Sequence, residues 1–441
     1  MADKTEGHVS RRDFLRTATA SGVAAAATLT TARRAAAAPR LDVKRRILGA
    51  SDRIRVGIVG VKGMGGGHLR NLVGPDMKTD NVEVTAVCDV WETARARAQT
   101  TAQLPDGRVS ADYRRLLESD VDAVVVATPD HWHGRIGLDA LLAGKHVYIE
   151  KPMTRRLDEA FKIHDAAKEL GLTVQVGSQG CSDTKYLRAR DLVKDGAIGR
   201  LLWAQGSYCR NNPSGEWNYK VEPELTPQTV DWKSWLGPAP KREFDAERFF
   251  RWRKYWDYGT GIIGDLWPHR LHPLMLAMNI NEFPRSVSCV GADMCHADAK
   301  TGADGRPNGA ARDVPDTTLM LVEFPSGVSI VLAGSTVNER GLEDVIRGAK
   351  ANLTMGGSRL QVVPERPYVD EIEGRDETPF DAGETHVKHM RNFLDSIRAR
   401  RPANCNEDLA IRVQAIVSMA ETAYRKQKRV RFDEQQREMI A

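Results

Sequence analysis

Residues 53–130 alternate short apolar segments with turns and helical segments. The first apolar segment, residues 55–60, runs into a glycine-rich turn at residues 61–68. The second, residues 82–87, ends in Cys-Asp, and the third, residues 123–127, ends before Thr-Pro. This alternation is typical of parallel strands joined by crossover helices. It predicts an open α/β sheet in which ligands bind beyond the carboxyl ends of the strands.

The turn after the first strand has the composition of a phosphate-binding loop. Gly60 and Gly65 fit the first and third positions of G-x-G-x-x-G, Lys62 occupies the second, and Gly63 and Met64 lie beside it. Small residues let a pyrophosphate approach the backbone, and the following helix presents N–H groups at its N-terminus. We therefore expect Gly60, Gly63, Met64 and Gly65 to contact a dinucleotide.

The acidic residue at the end of the second strand indicates which dinucleotide. Asp89 follows Gly65 at about the distance expected for a carboxylate that binds the ribose 2′-hydroxyl of NAD. Arg95 and Arg97 leave NADP possible, and Asp89 could instead cap the helix that follows. NAD is the expected cofactor.

Two further strand ends lie close together in the sequence. Residues 123–127 lead into Thr128-Pro129, and residues 146–149 lead into Glu150-Lys151-Pro152. A cation at the carboxyl edge of a sheet can orient a hydroxyl or stabilise an oxyanion. An isolated Lys-Pro is more often a surface turn, but the two neighbouring strand ends favour ligand contact by Lys151.

Taken together, these motifs resemble those of the Gfo/Idh/MocA family, the glucose-fructose oxidoreductase and inositol 2-dehydrogenase group. The resemblance covers residues 53–435 and implies an N-terminal Rossmann domain with a C-terminal α/β domain built on an open, mostly antiparallel sheet. It implies that Lys151 lies beside the nicotinamide and the substrate. It also implies that the cofactor site includes Thr128, Pro129, His133 and Glu150.

The segment around Asp265 and His269 carries the other candidate catalytic groups. If it is helical, these two side chains point from the same face, with Pro268 in the first turn. An imidazole can accept a hydroxyl proton while a carboxylate orients it, although such pairs are often structural. The segment resembles the family motif G-G-G-x-x-x-D-x-G-x-H-x-x-D, but Trp267 replaces its last Gly and His272 its final Asp. Substrate preference and the exact proton acceptor stay open.

An insertion rich in Trp, Tyr and Arg occupies residues 211–256. Indole faces stack on the C–H faces of sugars, and guanidinium groups donate to their hydroxyls. The alternative is a loop that packs its own aromatic side chains. The expected substrate-binding residues are Lys151, Arg210, Trp252, Arg253, Asp265 and His269, of which Lys151, Asp265 and His269 are the expected catalytic residues.

Composition argues against several classes of partner. No apolar run approaches the roughly 20 residues that span a bilayer, so no stable membrane anchor is expected. The formal net charge is +5, of which residues 1–38 supply six basic and three acidic side chains, and no basic stripe predicts nucleic-acid binding. The His131/His133 and His269/His272 pairs lack a third ligand at clear spacing, so no metal is expected.

The N-terminal segment predicts export. Residues 10–16 resemble the twin-arginine signal, and a weakly apolar, alanine-rich stretch follows to Ala38. We interpret residues 1–38 as a signal peptide read by the twin-arginine machinery, which implies a periplasmic or secreted protein. That pathway carries folded proteins, so the cofactor is expected to be loaded in the cytoplasm and held tightly, and the six cysteines are expected to be free thiols.

The remaining chain divides into a linker and three regions. Residues 39–52 are the linker, residues 53–178 the dinucleotide-binding domain and residues 179–385 the substrate-binding domain. Residues 386–441 are expected to be helices that close the fold. The resemblance also implies a homo-oligomer formed through the open sheet.

Three functions follow as hypotheses. The first is an NAD(P)-dependent oxidoreductase that acts on a sugar, glycoside or cyclitol hydroxyl. The second is a glycosidase or glycoside lyase that oxidises its substrate transiently, with no net redox change. The third is a sugar-binding protein without activity, against which Lys151, Asp265 and His269 argue because the candidate catalytic groups are all present.

Overall fold

The computed structural model describes residues 48–49, 52–212, 215–295 and 312–441. The predicted signal peptide, residues 1–38, and most of the predicted linker lie outside the described residues. None of the helices in the described part of the chain is long and apolar enough to cross a membrane.

The first sheet is parallel and carries helices on both faces. Its strands are β1 (Ile54–Val59), β2 (Val82–Cys88), β3 (Val109–Ser110), β4 (Ala123–Val126), β5 (His146–Glu150) and β6 (Val174–Gly177). Its helices are α1 (Met64–Val73), α2 (Glu92–Ala102), α3 (Tyr113–Glu118), α4 (Asp130–Leu142) and α5 (Leu157–Leu170). The strand order is β3-β2-β1-β4-β5-β6, the Rossmann order, so the carboxyl ends of β1 and β4 meet at the switch point where ligands bind.

The second sheet is larger and mostly antiparallel. Its strands are β7 (Leu201–Cys209), β8 (Ser286–Ala292), β9 (Thr317–Glu323), β10 (Ser329–Ser335), β11 (Val345–Gly348), β12 (Ala351–Thr354), β13 (Gln361–Pro364), β14 (Arg375–Asp376), β15 (Val430–Asp433) and β16 (Glu438–Ile440). Their order is β14-β13-β12-β11-β7-β10-β9-β8-β15-β16, and β7 pairs with β10 in parallel. The predicted combination of a Rossmann domain with a mostly antiparallel second sheet is confirmed.

The second half of the chain also contains helices. They are α6 (Thr184–Lys194), α7 (Trp232–Leu236), α8 (Ala246–Phe250), α9 (Pro268–Ala277), α10 (His386–Ala399) and α11 (Glu407–Lys426). The longest, α11, packs against β8, α5 and α9, so it joins the two sheets into one core. One face of the second sheet is open. Along β9, Leu319 and Leu321 on this face are exposed, while the alternating residues Met320 and Val322 on the opposite face are buried.

The C-terminal region differs in one respect from the sequence expectation. Residues 386–441 were expected to be helices, and α10 and α11 are present. After α11, however, β15 and β16 form a hairpin that extends the second sheet through pairing of Val430 with Val287. These strands are only four and three residues long. Periodicity cannot distinguish so short a segment from a helix end, because its pairing partner is distant in sequence.

Candidate active site

A cavity of about 650 Å³ opens at the carboxyl ends of β1, β4 and β5. Its volume lies within the roughly 300–1,000 Å³ that small-molecule sites occupy. One wall is the Rossmann edge, with Gly60, Gly63, Met64, Asp89, Thr128, Pro129, His133, Glu150 and Lys151. The opposite wall comes from the insertion and includes Tyr219, Trp235, Phe249, Phe250, Trp252 and Arg253.

The glycine turn forms a cradle that larger residues would fill. Gly60 has φ +81°, and a Cβ there would lie 2.8 Å from the carbonyl oxygen of Ala127. A Cβ on Gly65 would lie 1.7 Å from the carbonyl oxygen of Gly60, so Gly65 lets α1 approach the turn although it does not itself line the cavity. Gly63 is the N-cap residue of α1 and supplies no side-chain cap. The N-terminus of α1 therefore faces a space suited to a pyrophosphate.

Asp89 lies at the end of β2, in the cavity wall. Its Oδ2 accepts a 2.9 Å hydrogen bond from the backbone N–H of Val61, and its Oδ1 accepts one of 2.9 Å from Trp91, which precedes α2. Burial raises the pKa of Asp89, and these two N–H groups favour its ionised form. Asp89 lines the cavity, which is compatible with nucleotide binding, and it does not cap α2, because the N-cap residue of that helix is Trp91 and no side chain caps it.

The arginines that left NADP open have other partners. Arg95 Nη1 donates a 2.7 Å hydrogen bond to the backbone oxygen of Asp89. Arg97 Nη1 lies 2.7 Å from a carboxylate oxygen of Glu222, a residue of the insertion. Because both guanidinium groups already bind protein oxygens, neither is left to bind the 2′-phosphate of NADP, which favours NAD.

His133 ties two strand ends together. Its Nδ1 lies 2.8 Å from the carbonyl oxygen of Pro152, and its Nε2 lies 2.8 Å from that of Thr128. Burial lowers its pKa. His133 therefore positions the loop after β4 against the loop that carries Lys151. Thr128 Oγ1 is buried without a hydrogen-bond partner in the described structure, so it has the capacity to bind a ligand.

These features together fit a dinucleotide. The glycine cradle, the α1 N-terminus, the carboxylate of Asp89 and the unpaired Thr128 hydroxyl line one continuous cavity. Glu150 also lines it, but its Oε1 is bound 2.7 Å from His68 Nε2. Burial works to raise the pKa of Glu150, and the hydrogen bond and charge of His68 lower it to about 2, so this carboxylate stabilises the strand end.

The strongest ionic cluster of the site centres on Asp265. Lys151 Nζ donates 2.6 Å and 2.7 Å hydrogen bonds to its Oδ1 and its backbone oxygen, and Arg253 Nε donates a 2.9 Å bond to Oδ1. The indole N–H of Trp217 donates a 3.1 Å bond to Oδ2. Burial works to raise the pKa of Asp265, but Lys151 and Arg253 outweigh it and hold this pKa well below its usual range. Asp265 is therefore an anion that fixes two cations at the cavity wall.

The predicted pairing of Asp265 with His269 is wrong, because these two described side chains form no hydrogen bond with each other. Asp265 lies in a π-helical turn, Ile262–Leu266, and α9 begins only at Pro268, its first residue as expected. The extra residue of a π turn changes the direction of the side chains. His269 instead stacks on Tyr208 at 4.9 Å between ring centroids. Its Nδ1 is buried and, within the described residues, has no hydrogen-bond partner.

Electrostatics keep the His269 imidazole neutral. Burial, followed by the charge of Lys151, lowers the pKa of His269 well below its usual value. A neutral imidazole can accept a proton. Among the described residues, the cavity lining contains Lys151 and Arg253 but neither Asp265 nor His269, so these two lie outside the wall that the cavity exposes.

The predicted substrate-binding residues separate into two groups. Trp252 and Arg253 line the cavity, and the guanidinium of Arg253 lies 4.2 Å from the centre of the Trp252 ring. Arg210 does not line it. Its Nη1 pairs with Glu216 at 3.0 Å, and its Nη2 donates a 2.9 Å bond to the Tyr208 hydroxyl.

The insertion behaves in both of the ways that the sequence allowed. Several of its aromatic residues line the cavity, while others pack on one another, as Trp232 does on Trp235 at 4.6 Å between ring centroids. Trp217 is 1% exposed and thus offers no stacking face. Its role is hydrogen bonding, which its residue type alone did not reveal.

The insertion is also fastened to the nucleotide-binding edge. The backbone N–H of Glu92 donates a 2.9 Å bond to Thr229, and that of Asp231 donates a 3.0 Å bond to Val90. Glu222 pairs with Lys62 at 3.3 Å and with Arg97 at 2.7 Å. Because Lys62 belongs to the glycine turn, the insertion is attached to the loop that is expected to hold the pyrophosphate.

Asp130 and Tyr219 are among the lining residues that sequence reasoning missed. Asp130 directly follows Thr128-Pro129, and its position after a strand end was the available signal. Tyr219 lies in the aromatic insertion and was not distinguished from its neighbours. All six cysteines are free thiols, and four of them are buried. The described residues contain no group of three or more His, Cys, Asp or Glu side chains placed to hold a metal ion.

Two family models match the chain. One, described as an oxidoreductase family with an NAD-binding Rossmann fold, matches residues 54–178. The other, described as the C-terminal alpha/beta domain of the oxidoreductase family, matches residues 189–441. Both are models of the Gfo/Idh/MocA family, and the first confirms the prediction of NAD as the cofactor.

Sequence relatives carry a glycosidase name. A glycosyl hydrolase family 109 protein from Saccharopolyspora erythraea is 29% identical over 390 residues, which cover 83% of this chain and 76% of the relative. Glycosyl hydrolase family 109 protein 2 from Shewanella sp. (strain ANA-3) is 27% identical over 350 residues, or 75% of this chain and 70% of the relative.

Solved structures share the fold. Levoglucosan dehydrogenase in complex with NADH matches with a TM-score of 0.67 at 19% identity, covering 86% of this chain and 99% of that one. The WlbA dehydrogenase from Bordetella pertussis, in complex with NADH and UDP-GlcNAcA, matches with a TM-score of 0.63 at 18% identity, covering 86% and 99%. Since the family models match both halves of the chain, this protein belongs to the Gfo/Idh/MocA family and is an NAD-dependent oxidoreductase.

Proposed function

We propose that this protein oxidises a hydroxyl group of a sugar, glycoside or cyclitol while its NAD stays bound. The observation that carries the proposal is the position of Lys151. Its ammonium group lies in the cavity wall at the end of β5, held 2.6 Å from the carboxylate of Asp265. A fixed cation at this edge can bind a substrate hydroxyl and stabilise the oxygen as negative charge develops on it.

The other groups supply binding and proton transfer. NAD, when bound, provides the hydride acceptor. Trp252 and Arg253 form a wall with an indole face and a guanidinium, the combination that suits a polyhydroxylated ring. The neutral imidazole of His269 is the proposed acceptor of the hydroxyl proton, and because His269 lies behind the cavity lining we propose that the proton reaches it through one water molecule. Asp265 positions both cations.

A second candidate is cleavage of a glycosidic bond with no net redox change. It is supported by the relatives named glycosyl hydrolase family 109, one of which matches 83% of this chain. The same cavity and the same bound NAD serve both reactions. They differ in whether the nicotinamide returns to its oxidised state within one turnover.

One experiment tests both candidates. Purified protein is denatured and the released nucleotide is identified by mass spectrometry and absorbance, before and after incubation with p-nitrophenyl glycosides, methyl glycosides and myo-inositol. NAD that becomes NADH and stays reduced indicates the dehydrogenase. Unchanged NAD with released p-nitrophenol indicates the glycosidase. Protein that carries no nucleotide and binds none contradicts both.

Export is part of the proposal. The twin-arginine pattern of residues 10–16 supports transport of the folded, NAD-loaded protein to the periplasm or the medium. Replacement of Arg11 and Arg12 by lysine should leave the protein and its nucleotide in the cytoplasm. Export of the double variant at the level of the unaltered protein would contradict this assignment.

We also propose a homo-oligomer formed through the open face of the second sheet. Val290, Leu319 and Leu321 lie on neighbouring strands and are 64%, 53% and 42% exposed. Such apolar faces commonly mark interfaces. Light scattering should give a mass of two or more chains, and Leu319→Glu should reduce it. A monomer at all concentrations would refute the proposal.

A further inference from the structure

Asp130 is a buried acid that the mechanism above does not use. It is the first residue of α4, directly after the Thr128-Pro129 strand end, and it lines the cavity at 2% exposure. Its Oδ2 lies 3.2 Å from the position that a Cβ on Gly259 would occupy, a position that Trp252 also contacts. Within the described residues, no donor forms a hydrogen bond to its carboxyl group. The group therefore faces a ligand space without a protein partner.

A purely structural role does not account for this geometry. A capping aspartate accepts backbone N–H groups, as Asp112 and Asp183 do at the helices they precede. Asp130 accepts none, and the N-cap of α4 is Pro129. Burial of a carboxyl group without a partner is costly, unless it is protonated or bound by a ligand. Such a group is a candidate for contact with substrate.

The charges around Asp130 oppose one another. Lys151, Arg155 and Arg253 favour its ionised form, as does the N-terminus of α4, whereas Asp265 favours the protonated form. Burial outweighs these cations and raises the pKa of Asp130 to about 7. Asp265 in the same cluster has its pKa lowered. Two carboxyl groups whose environments separate their pKa values in this way can divide the roles of donor and fixed anion.

We propose that Asp130 is a substrate-binding residue whose protonated carboxyl group donates a hydrogen bond to an oxygen atom of the sugar. The inference rests on the proposed function and deepens it. Lys151 and Arg253 supply cationic donors, whereas Asp130 supplies a neutral donor and sets an upper pH limit for productive binding. The indole of Trp252 lies beside Gly259, on the same side as this carboxyl group.

The first test does not need a substrate. The thermal midpoint of the NAD-loaded protein is measured from pH 5 to 8.5 for the unaltered chain, Asp130→Asn and the control Asp139→Asn, which changes a carboxyl on the same helix outside the cavity lining. The native state keeps a proton that the unfolded chain has already lost between about pH 4 and 7. As the pH rises to 7, the thermal midpoint of the unaltered protein should therefore fall by several degrees relative to that of Asp130→Asn. A difference between these two midpoints that stays constant from pH 5 to 8.5 would refute the protonated state proposed for Asp130.

The second test uses the panel of p-nitrophenyl and methyl glycosides and myo-inositol. For the unaltered protein, kcat/KM should fall about tenfold per pH unit above pH 7, mainly through KM. Asp130→Asn keeps a neutral donor, so its kcat/KM should no longer fall above pH 7, although it should be a few-fold lower than that of the unaltered protein at pH 6. Asp130→Leu should raise KM at least tenfold at every pH, while its bound NAD is unchanged.

The outcomes separate the two proposals. A reactive unaltered protein whose fall in kcat/KM above pH 7 persists in Asp130→Asn, or whose Asn and Leu variants behave alike, refutes the role of Asp130 and leaves the proposed function standing. If the unaltered, NAD-loaded protein reacts with no probe, the proposed function and the substrate role of Asp130 both fail.

Discussion

Replacement of Lys151 by methionine should abolish most of the activity and leave the fold and the NAD content intact. Methionine has a similar length but cannot donate. The variant loses the 2.6 Å and 2.7 Å hydrogen bonds to Asp265, while Arg253 and Trp217 still bind that carboxylate. The carboxylate of Asp265 therefore keeps two partners in the variant.

The magnitudes follow from these contacts. Breaking a buried ion pair costs about 3–5 kcal/mol when one charge is left uncompensated. Because Arg253 still compensates Asp265, we expect the lower end, about 3 kcal/mol of unfolding free energy. Loss of a cation at the developing oxyanion should reduce kcat by about 10²–10³-fold. Since Lys151 contributes mainly in the transition state, the change in KM should be small by comparison.

The assay is single-turnover reduction of the bound NAD, with stability measured by urea unfolding. Lys145→Met is a matched control, because Lys145 is also a buried lysine next to β5 and donates to backbone oxygens, 2.9 Å to Val121 and 3.2 Å to Ser119. It lies outside the cavity lining. The control should lose stability while the folded protein keeps its kcat. A Lys151→Met protein with kcat within threefold of the unaltered protein would refute the role assigned to Lys151.

Four further predictions follow from the site and its surroundings. Asp89→Asn should weaken NAD binding about tenfold, measured by nucleotide fluorescence, because one carboxylate lone-pair acceptor near the ribose becomes a donor. His269→Gln should lower kcat about 10²-fold or more with little change in bound NAD, and unchanged kcat would exclude it as the proton acceptor. Glu222→Ala should speed NAD release by up to about fivefold, the effect of about 1 kcal/mol from exposed ion pairs, and high salt should mimic it. Burial lowers the pKa of His131 and His389 to about 4, below the unfolded value of about 6.5. In the Asp130→Asn protein, which lacks the opposite pH dependence of Asp130, the urea midpoint should therefore fall as the pH falls from about 6.5 to about 4, and a flat profile would contradict this.

Local patterns were sufficient to locate most of the elements. Strands β1, β2, β4 and β5 begin and end within one residue of the apolar segments at residues 55–60, 82–87, 123–127 and 146–149. The two-residue β3 and the C-terminal hairpin escaped prediction. Elements this short carry too few residues for a period to be recognised, and pairing with distant strands is what makes them strands.

The candidate site was predictable in its residue types and only partly in its contacts. The glycine turn, Asp89, Thr128 and Lys151 are recognisable because each follows a strand that ends at one edge of a parallel sheet. The contacts of Arg210 with Glu216 and Tyr208 could not be recognised, because neither its residue type nor its spacing shows which way the side chain turns.

The sequence by itself determined the fold class, the dinucleotide cradle and the identity of the charged groups. Tertiary structure alone decided which of them meet. Asp265 lies 114 residues from Lys151, 48 from Trp217 and 12 from Arg253 along the chain, yet binds all three. Whether the pKa of a carboxyl group is lowered, as for Asp265, or raised, as for Asp130, depends on burial and on neighbouring charges. Both are properties of the packed chain, because they arise from residues that only folding brings together.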